Sequence, residues 1–154
     1  SMGGIIAYLL VRKLMESAER PPEHLVVSGC PAPRMRERKK KARSTLPDDE
    51  FVAELRKMGG CPKEVLANPE LLELVLPILR SDFHALEQYS FEEATPLPCG
   101  ITALVGKEED FSIEDVECWQ EFTSKTFDLR VFSGGHFFIY DHALEIRESL
   151  MKSF

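Results

Sequence analysis

The 154-residue sequence contains few cysteines and no long apolar run. Its cysteines are widely separated, at Cys30, Cys61, Cys99 and Cys118. They share no C-x-x-C spacing, which argues against a zinc site or a disulfide framework, so we expect reduced, mostly buried thiols in a cytoplasmic protein. No apolar stretch approaches the roughly 20 residues that a membrane-spanning helix requires, and we therefore expect no membrane span.

The sequence also lacks a positive net charge. Its 26 Asp and Glu residues outnumber its 19 Lys and Arg residues, for a net charge of −7 at pH 7. This balance argues against a general affinity for nucleic acid. The exception is the basic segment, residues 34–43, with seven Lys or Arg and one Glu. A solvated loop is its simplest interpretation; docking onto an acidic partner protein and a nucleic-acid or nuclear signal are the alternatives.

Helical and strand patterns alternate along the chain. A helix is predicted over about residues 5–19, ended by Pro21 and Pro22, and the strand "HLVVSG" follows. Residues 31–98 have a helical pattern, and the chain then continues as strand "ITALVG", helix "SIEDVECWQEFT", strand "DLRVFSG" and helix "ALEIRESLMKSF". Strands separated by helices imply parallel pairing, so the fold class is α/β, with about three strands. We interpret residues 31–98 as a helical insertion between two strands of one sheet.

Ser1 is the first candidate catalytic residue. The letters "SMGG" before a helix are the second half of a G-x-S-x-G nucleophile elbow, in which small residues permit a sharp turn from strand to helix. The leading glycine and the strand are not in this sequence. A serine that merely precedes a starting methionine would give the same letters.

Two further candidates follow predicted strands, where ligands bind in α/β sheets. Residues 107–110, after "ITALVG", include three acids, and a carboxylate there can orient a histidine; an acidic turn capping the next helix is the alternative. His136 follows the paired glycines of "SGGHFF". His24, His84 and His142 lack such a setting, and we expect them to be surface or packing residues. Serine, acid and histidine in this order match the chain order of α/β-hydrolases.

Several segments together resemble the type II, or editing, thioesterases that serve polyketide, nonribosomal peptide and fatty acid synthases. These segments are "SMGG", "VVSGCPAP", "LPILRSDFHALEQY", "ITALVG", "CWQEFT" and "GGHFFI". The resemblance covers nearly the whole chain and implies an α/β-hydrolase fold with a lid over residues 31–98. It also implies that the chain starts at the nucleophile and lacks the upstream half of the fold.

The resemblance implies hydrolysis of acyl thioesters on the phosphopantetheine arm of an acyl- or peptidyl-carrier protein, with no metal and no cofactor. Ser1 would be the nucleophile, the Met2 N–H an oxyanion donor and His136 the general base. In the family an aspartate usually stands three residues after the strand-ending glycine. Glu109 holds that position here, and Asp110 is next. We prefer Asp110 as the triad acid, because aspartate is the usual choice and the loop can absorb one residue, and we keep Glu109 as the alternative.

Other functions remain open from the sequence. A chain without its first strands would have an exposed sheet edge, which favours a catalytically incomplete interaction module. Another serine hydrolase of this fold, such as an esterase, would carry the same residues. A third alternative is an N-terminal-nucleophile hydrolase, in which the Ser1 α-amine is the base. This mechanism gives no role to the histidine of "GGHFF".

Overall fold

A computed structural model describes residues 1–38 and 41–151. Lys39 and Lys40 of the basic segment, and residues 152–154 of the predicted closing helix, lie outside the described residues. The described residues form one parallel sheet in the order β1 (His24–Ser28), β2 (Gly100–Gly106) and β3 (Phe127–Phe132). Both pairings are parallel, so the predicted α/β class with three strands is confirmed.

Eight α-helices and one 3-10 helix accompany the sheet in the described part of the chain. They are α1 (Met2–Glu16), α2 (Pro33–Arg38), α3 (Asp48–Met58), α4 (Lys63–Ala67), α5 (Pro69–Gln88), α6 (Ile113–Glu117), the 3-10 helix (Cys118–Phe122), α7 (Phe138–Asp141) and α8 (Ala143–Met151). The first helix therefore begins three residues before the predicted start and ends three residues before the predicted end.

The segment "SIEDVECWQEFT" is not the single helix that the sequence predicts. It begins with a capping box between Ser112 and Asp115, and the α-helix gives way to the 3-10 helix at Cys118. Residues three apart share a face in a 3-10 helix. Trp119 and Phe122 are thereby both buried, and the Trp119 indole N–H donates to the Cys30 carbonyl at 2.8 Å. This tertiary packing prevails over the local helical pattern.

The central strand β2 is buried at every position because helices cover both of its faces. Alternate side chains of a strand point to opposite faces. Ile101 and Ala103 belong to the main core, together with α1, α6 and the 3-10 helix. Leu104 faces the other way and clusters with Phe132 and Phe138.

The helices α2 to α5 follow β1 in the chain and precede β2; we call them the helical insertion. Three of them share a second apolar cluster, formed by Phe51, Val52, Leu55, Leu66, Leu72, Leu76, Leu79 and Phe83. The long helix α5 begins at Pro69, and the Asn68 side chain caps it by accepting from the backbone N–H groups of Glu70 and Leu71. The insertion therefore has a core of its own.

Among the described residues β1 and β3 each pair only with β2, so both are edge strands of the sheet. The helix α1 exposes Ile6 and Leu10, which are 54% and 57% accessible. None of the described helices has both the length and the apolar character required to cross a bilayer.

Candidate active site

His136 and Glu109 form a buried pair beyond the carboxyl ends of β2 and β3. His136 Nδ1 donates to Glu109 Oε2 at 2.9 Å. The Glu109 side chain is 2% exposed and that of His136 is 16% exposed. Little water therefore screens the contact, and a carboxylate in this place fixes the orientation of the imidazole.

Close contact between two loops brings this pair together. The acid loop, residues 107–111, follows β2, and its Lys107 N–H donates to the Phe132 carbonyl at 2.9 Å. The Glu108 N–H donates to the Gly134 carbonyl at 3.1 Å. A Cβ at Gly106 would overlap the Gly134 carbonyl oxygen, so only glycine permits this approach of the two backbones.

Gly29 is a third part of the site that the sequence analysis did not single out. It follows β1, has a φ of +54° and donates its N–H to the Leu104 carbonyl at 2.9 Å. A Cβ at Gly29 would lie 3.0 Å from Glu109 Oε1 and 3.0 Å from His136 Cε1. The available signal was its place at the end of the predicted strand "HLVVSG".

Ser1 stands at the N-terminus of α1 and is anchored to the end of β1. Its backbone nitrogen donates to the Ser28 carbonyl at 2.5 Å. Gly4 packs closely against Cys30, which follows β1 in the chain. A Cβ at Gly4 would lie 3.0 Å from Cys30 Sγ. The small residues of "SMGG" thus let the start of α1 approach the sheet closely.

One cavity of about 770 Å³ brings the sequence-predicted residues together. Ser1, Met2, Glu109, Asp110 and His136 all line it. The helical insertion supplies apolar side chains to the same cavity, among them Leu55, Met58, Val65, Val75, Leu79 and Phe83. The cavity is therefore lined both by a serine, a histidine and carboxylates and by apolar side chains of the insertion.

The expectation that Asp110 contacts the histidine is wrong; Glu109, the alternative, occupies that place. The Asp110 carboxylate instead accepts from Lys41 Nζ at 2.8 Å and from the Arg43 guanidinium. Burial opposes ionisation of Asp110, but these hydrogen bonds prevail and lower its pKa. The loop absorbs no extra residue, so the third position after the strand-ending Gly106 faces His136.

The remaining histidines have other partners or are exposed, and none of the cysteines forms a disulfide. His24 bonds to Thr102 at 2.8 Å, His142 bonds to Glu145 at 3.0 Å, and His84 is exposed, as expected of surface or packing residues. All four cysteines are free thiols. Two of them, Cys30 and Cys99, are buried, and the other two are partly exposed, so burial is less general than predicted.

The basic segment is engaged in ion pairs within the chain. Arg34 donates to Glu93 and Glu121, each at 2.9 Å. Arg43 donates to Glu54 at 2.9 Å as well as to Asp110. Part of the positive charge that could meet an acidic partner is therefore neutralised internally.

Comparisons with known proteins place the chain in one family. The Thioesterase domain family model matches residues 1–154. Linear gramicidin dehydrogenase LgrE of Brevibacillus parabrevis is 37% identical over 161 residues, which cover 100% of this chain and 61% of LgrE. Gramicidin S biosynthesis protein GrsT of Aneurinibacillus migulanus is 35% identical over 99% of this chain and 59% of its own length.

Solved structures show the same likeness. The type II thioesterase BorB from the borrelidin biosynthetic cluster superposes with a TM-score of 0.86 and 34% identity, over 99% of this chain and 62% of BorB. ClbQ from the colibactin NRPS/PKS pathway gives 0.87 and 31%, over 97% of this chain and 64% of ClbQ. The chain thus spans about three fifths of the length of these relatives.

Proposed function

This chain belongs to the thioesterase domain family, and we propose that it hydrolyses acyl thioesters held on the phosphopantetheine arm of a carrier protein. The observation that carries the proposal is the 2.9 Å bond between His136 Nδ1 and Glu109 Oε2, in a cavity that Ser1 also lines. In this proposal Ser1 is the nucleophile, His136 the general base and Glu109 the acid. Asp110 does not contact the histidine in this proposal, because it pairs with Lys41 and Arg43.

The proposed first step is attack of Ser1 Oγ on the thioester carbonyl. Because Nδ1–H donates to Glu109, Nε2 is the imidazole nitrogen left to accept the serine proton. The Glu109 carboxylate stabilises the resulting imidazolium. His136 then gives the proton to the departing thiolate of the arm, which leaves an acyl group on Ser1. Water, deprotonated by the same imidazole, releases the acid and restores the serine.

Met2 is the proposed oxyanion donor from this chain. It is the first residue of α1, and the N–H groups of a helix's first turn have no partner within the helix. The N-terminal end of a helix carries partial positive charge, which stabilises an oxyanion. The Met2 N–H, next to Ser1, is therefore suited to the oxygen of the tetrahedral intermediate.

The helical insertion acts as the lid in this proposal. Its apolar side chains, such as Leu79 and Phe83, line the cavity that Ser1 shares, and an acyl chain buried there would be removed from water. GrsT is a gramicidin S biosynthesis protein, BorB belongs to the borrelidin biosynthetic cluster and ClbQ to the colibactin NRPS/PKS pathway, which supports a carrier-bound substrate. The free cysteines support a cytoplasmic location.

The proposal is tested on the natural protein, with any residues that precede Ser1 in it. The substrate is an acyl carrier protein loaded with a radiolabelled acyl-phosphopantetheine, and the readout is the released acid. We expect His136→Ala to lower the rate by about 10²–10⁴-fold, because the general base is lost. His142→Ala is the matched control, since His142 also bonds to a glutamate but lies outside the cavity. Equal rates in the two variants would contradict the proposal.

A catalytically silent interaction module is the second candidate function. It is favoured by the exposed side of α1, with Ile6 and Leu10, next to the open edge of β1. The same assay distinguishes the two functions. Binding of the loaded carrier protein without release of the acid would favour the module. Equal hydrolysis of the matching oxygen ester would indicate a general esterase.

A further inference from the structure

Arg43 lies between α2 and α3 and contacts three separate parts of the fold. Its Nε donates to Glu54 of α3 at 2.9 Å, and its backbone N–H donates to Glu87 of α5 at 2.7 Å. Its guanidinium also donates to Asp110 of the acid loop. The side chain is 16% exposed, so these bonds form largely out of water. One arginine thus joins the helical insertion to the acid loop.

Glu109 has little else to hold its carboxylate in place. Its Oε1 is buried and has no hydrogen-bond partner among the described residues, while Oε2 is held by His136. A glutamate also has one more rotatable bond than the aspartate usual in the family. The position of this carboxylate therefore depends on the backbone that carries it. Asp110 is the next residue, so its ion pairs fix that backbone.

We propose that Arg43 is a positioning residue, which acts through Asp110 to keep Glu109 on His136 while the helical insertion covers the cavity. The inference rests on the proposed function, because it assigns the Glu109–His136 pair a catalytic role. In this proposal Arg43 couples the covering of the cavity by the insertion to the position of Glu109 on His136. The insertion can leave the acid loop only if the bonds from Arg43 and Lys41 to Asp110 are broken or rearranged.

Lys41 contributes less to this anchor. It donates to the same Asp110 oxygen at 2.8 Å, but its side chain is 52% exposed. Exposed ion pairs contribute little, since water screens them and long side chains lose entropy on pairing. The planar guanidinium of Arg43 can bind two carboxylates at once, whereas an ammonium has no such fixed geometry. Arg43 is therefore the residue to test.

The first test compares Arg43→Gln with Arg34→Gln in the natural protein, with acyl-carrier hydrolysis as readout. Arg34 is the matched control because it also bridges two glutamates, Glu93 and Glu121, but does not line the cavity. A displacement of about 1 Å in a catalytic group lowers rates by up to about 10²-fold. We expect Arg43→Gln to lower kcat by about 10- to 100-fold with KM changed less than about 3-fold, and Arg34→Gln to change neither.

A rise in KM at constant kcat would overturn the inference, because Arg43 would then serve only to enclose the acyl chain. So would equal losses of kcat in the Arg43 and Arg34 variants, which would indicate general destabilisation.

A double-mutant cycle tests whether Arg43 acts through Asp110. We expect Asp110→Asn to lower kcat about as much as Arg43→Gln, and the double variant to lose no more than either single variant. Multiplied losses in the double variant would overturn the proposed route. Arg43→Lys keeps the charge but not the two-sided geometry, and we expect an intermediate kcat. If Arg43→Gln fails to fold, the Arg43→Lys and Asp110→Asn variants decide the question by themselves.

Amide hydrogen exchange keeps this inference separable from the proposed function. Exchange in residues 107–111 should accelerate in Arg43→Gln by more than it does in the strands of the sheet, and should not accelerate in Arg34→Gln. If the unsubstituted protein releases no acid, the proposed function fails, and exchange still tests the anchor. Unchanged exchange in Arg43→Gln would overturn the inference whatever the activity.

Discussion

Gly29 touches both members of the candidate catalytic pair, and its Cα lies so close to Glu109 that an added Cβ would be 3.0 Å from Oε1. The same Cβ would be 3.0 Å from His136 Cε1. The glycine adopts a φ of +54°, which side chains rarely allow. The end of β1 therefore sets the space in which the acid and the histidine meet.

The first prediction is that Gly29→Ala disrupts the pair without unfolding the protein. The new Cβ must push Glu109 and His136 aside, so we expect acyl-carrier hydrolysis to fall by about 10²-fold. The measurement is kcat for the substituted and unsubstituted proteins under saturating substrate.

Gly59→Ala is the matched control for Gly29→Ala. Gly59 also has a positive φ, of +75°, but nothing lies within 4 Å of its would-be Cβ. We expect it to lower the free energy of unfolding by about 1–2 kcal/mol, through left-handed strain alone, and to keep most of the activity. Similar kcat values for the two variants would show that close approach at Gly29 is unimportant.

The second prediction separates the two neighbouring acids. Glu109→Gln keeps the size of the side chain but cannot stabilise the imidazolium, and we expect kcat to fall by about 10³–10⁴-fold. Asp110→Asn only weakens the anchor of the loop, so its loss should be at least about 10-fold smaller. The measurement is kcat for each amide variant. A larger loss for Asp110→Asn would return the triad acid to the residue that the sequence analysis preferred.

The spacing from Gly106 pointed to Glu109, but the contacts that draw Asp110 away from His136 could not be predicted from the sequence. The neighbours of Asp110 are Lys41 and Arg43, more than 60 positions earlier in the chain, and only the folded insertion brings them to the acid loop. The parallel strands, by contrast, follow from local patterns, because apolar strands alternate with helices. Ser1 and His136 both line the cavity, as the turns that contain them suggest, and their catalytic roles stay predictions. The role of Gly29 was not predictable, since its partners come from loops after two other strands.

The third prediction concerns acid stability. A hydrogen bond from Arg43 lowers the pKa of Glu54. At Asp110 burial acts to raise the pKa, but the hydrogen bonds from Lys41 and Arg43 prevail and lower it. The pKa values in the unfolded chain are near 4.5 for Glu54 and 3.8 for Asp110. Above these pH values the ionised acids stabilise the fold, and this stabilisation is lost as the pH falls through the lower pKa values of the folded protein. We expect the urea midpoint to fall as pH drops below about 4.5, and to fall less steeply in Arg43→Gln.

The control for this pH series is Arg20→Gln. Arg20 pairs with Glu23 at 2.9 Å, but both side chains are more than four-fifths exposed. We expect the substitution to leave the pH dependence of the urea midpoint unchanged. If Arg43→Gln and Arg20→Gln give parallel curves, the bonds of Arg43 add no acid-dependent stability.

The fourth prediction tests the central claim, that His136 and Glu109 activate Ser1. A fluorophosphonate probe reacts with serines whose hydroxyl is activated by a neighbouring base, and peptide mass mapping identifies the labelled residue. We predict that the natural protein is labelled at Ser1, that labelling is lost in His136→Ala and that it persists in His142→Ala. Labelling at another serine, or undiminished labelling of Ser1 in His136→Ala, would contradict the account.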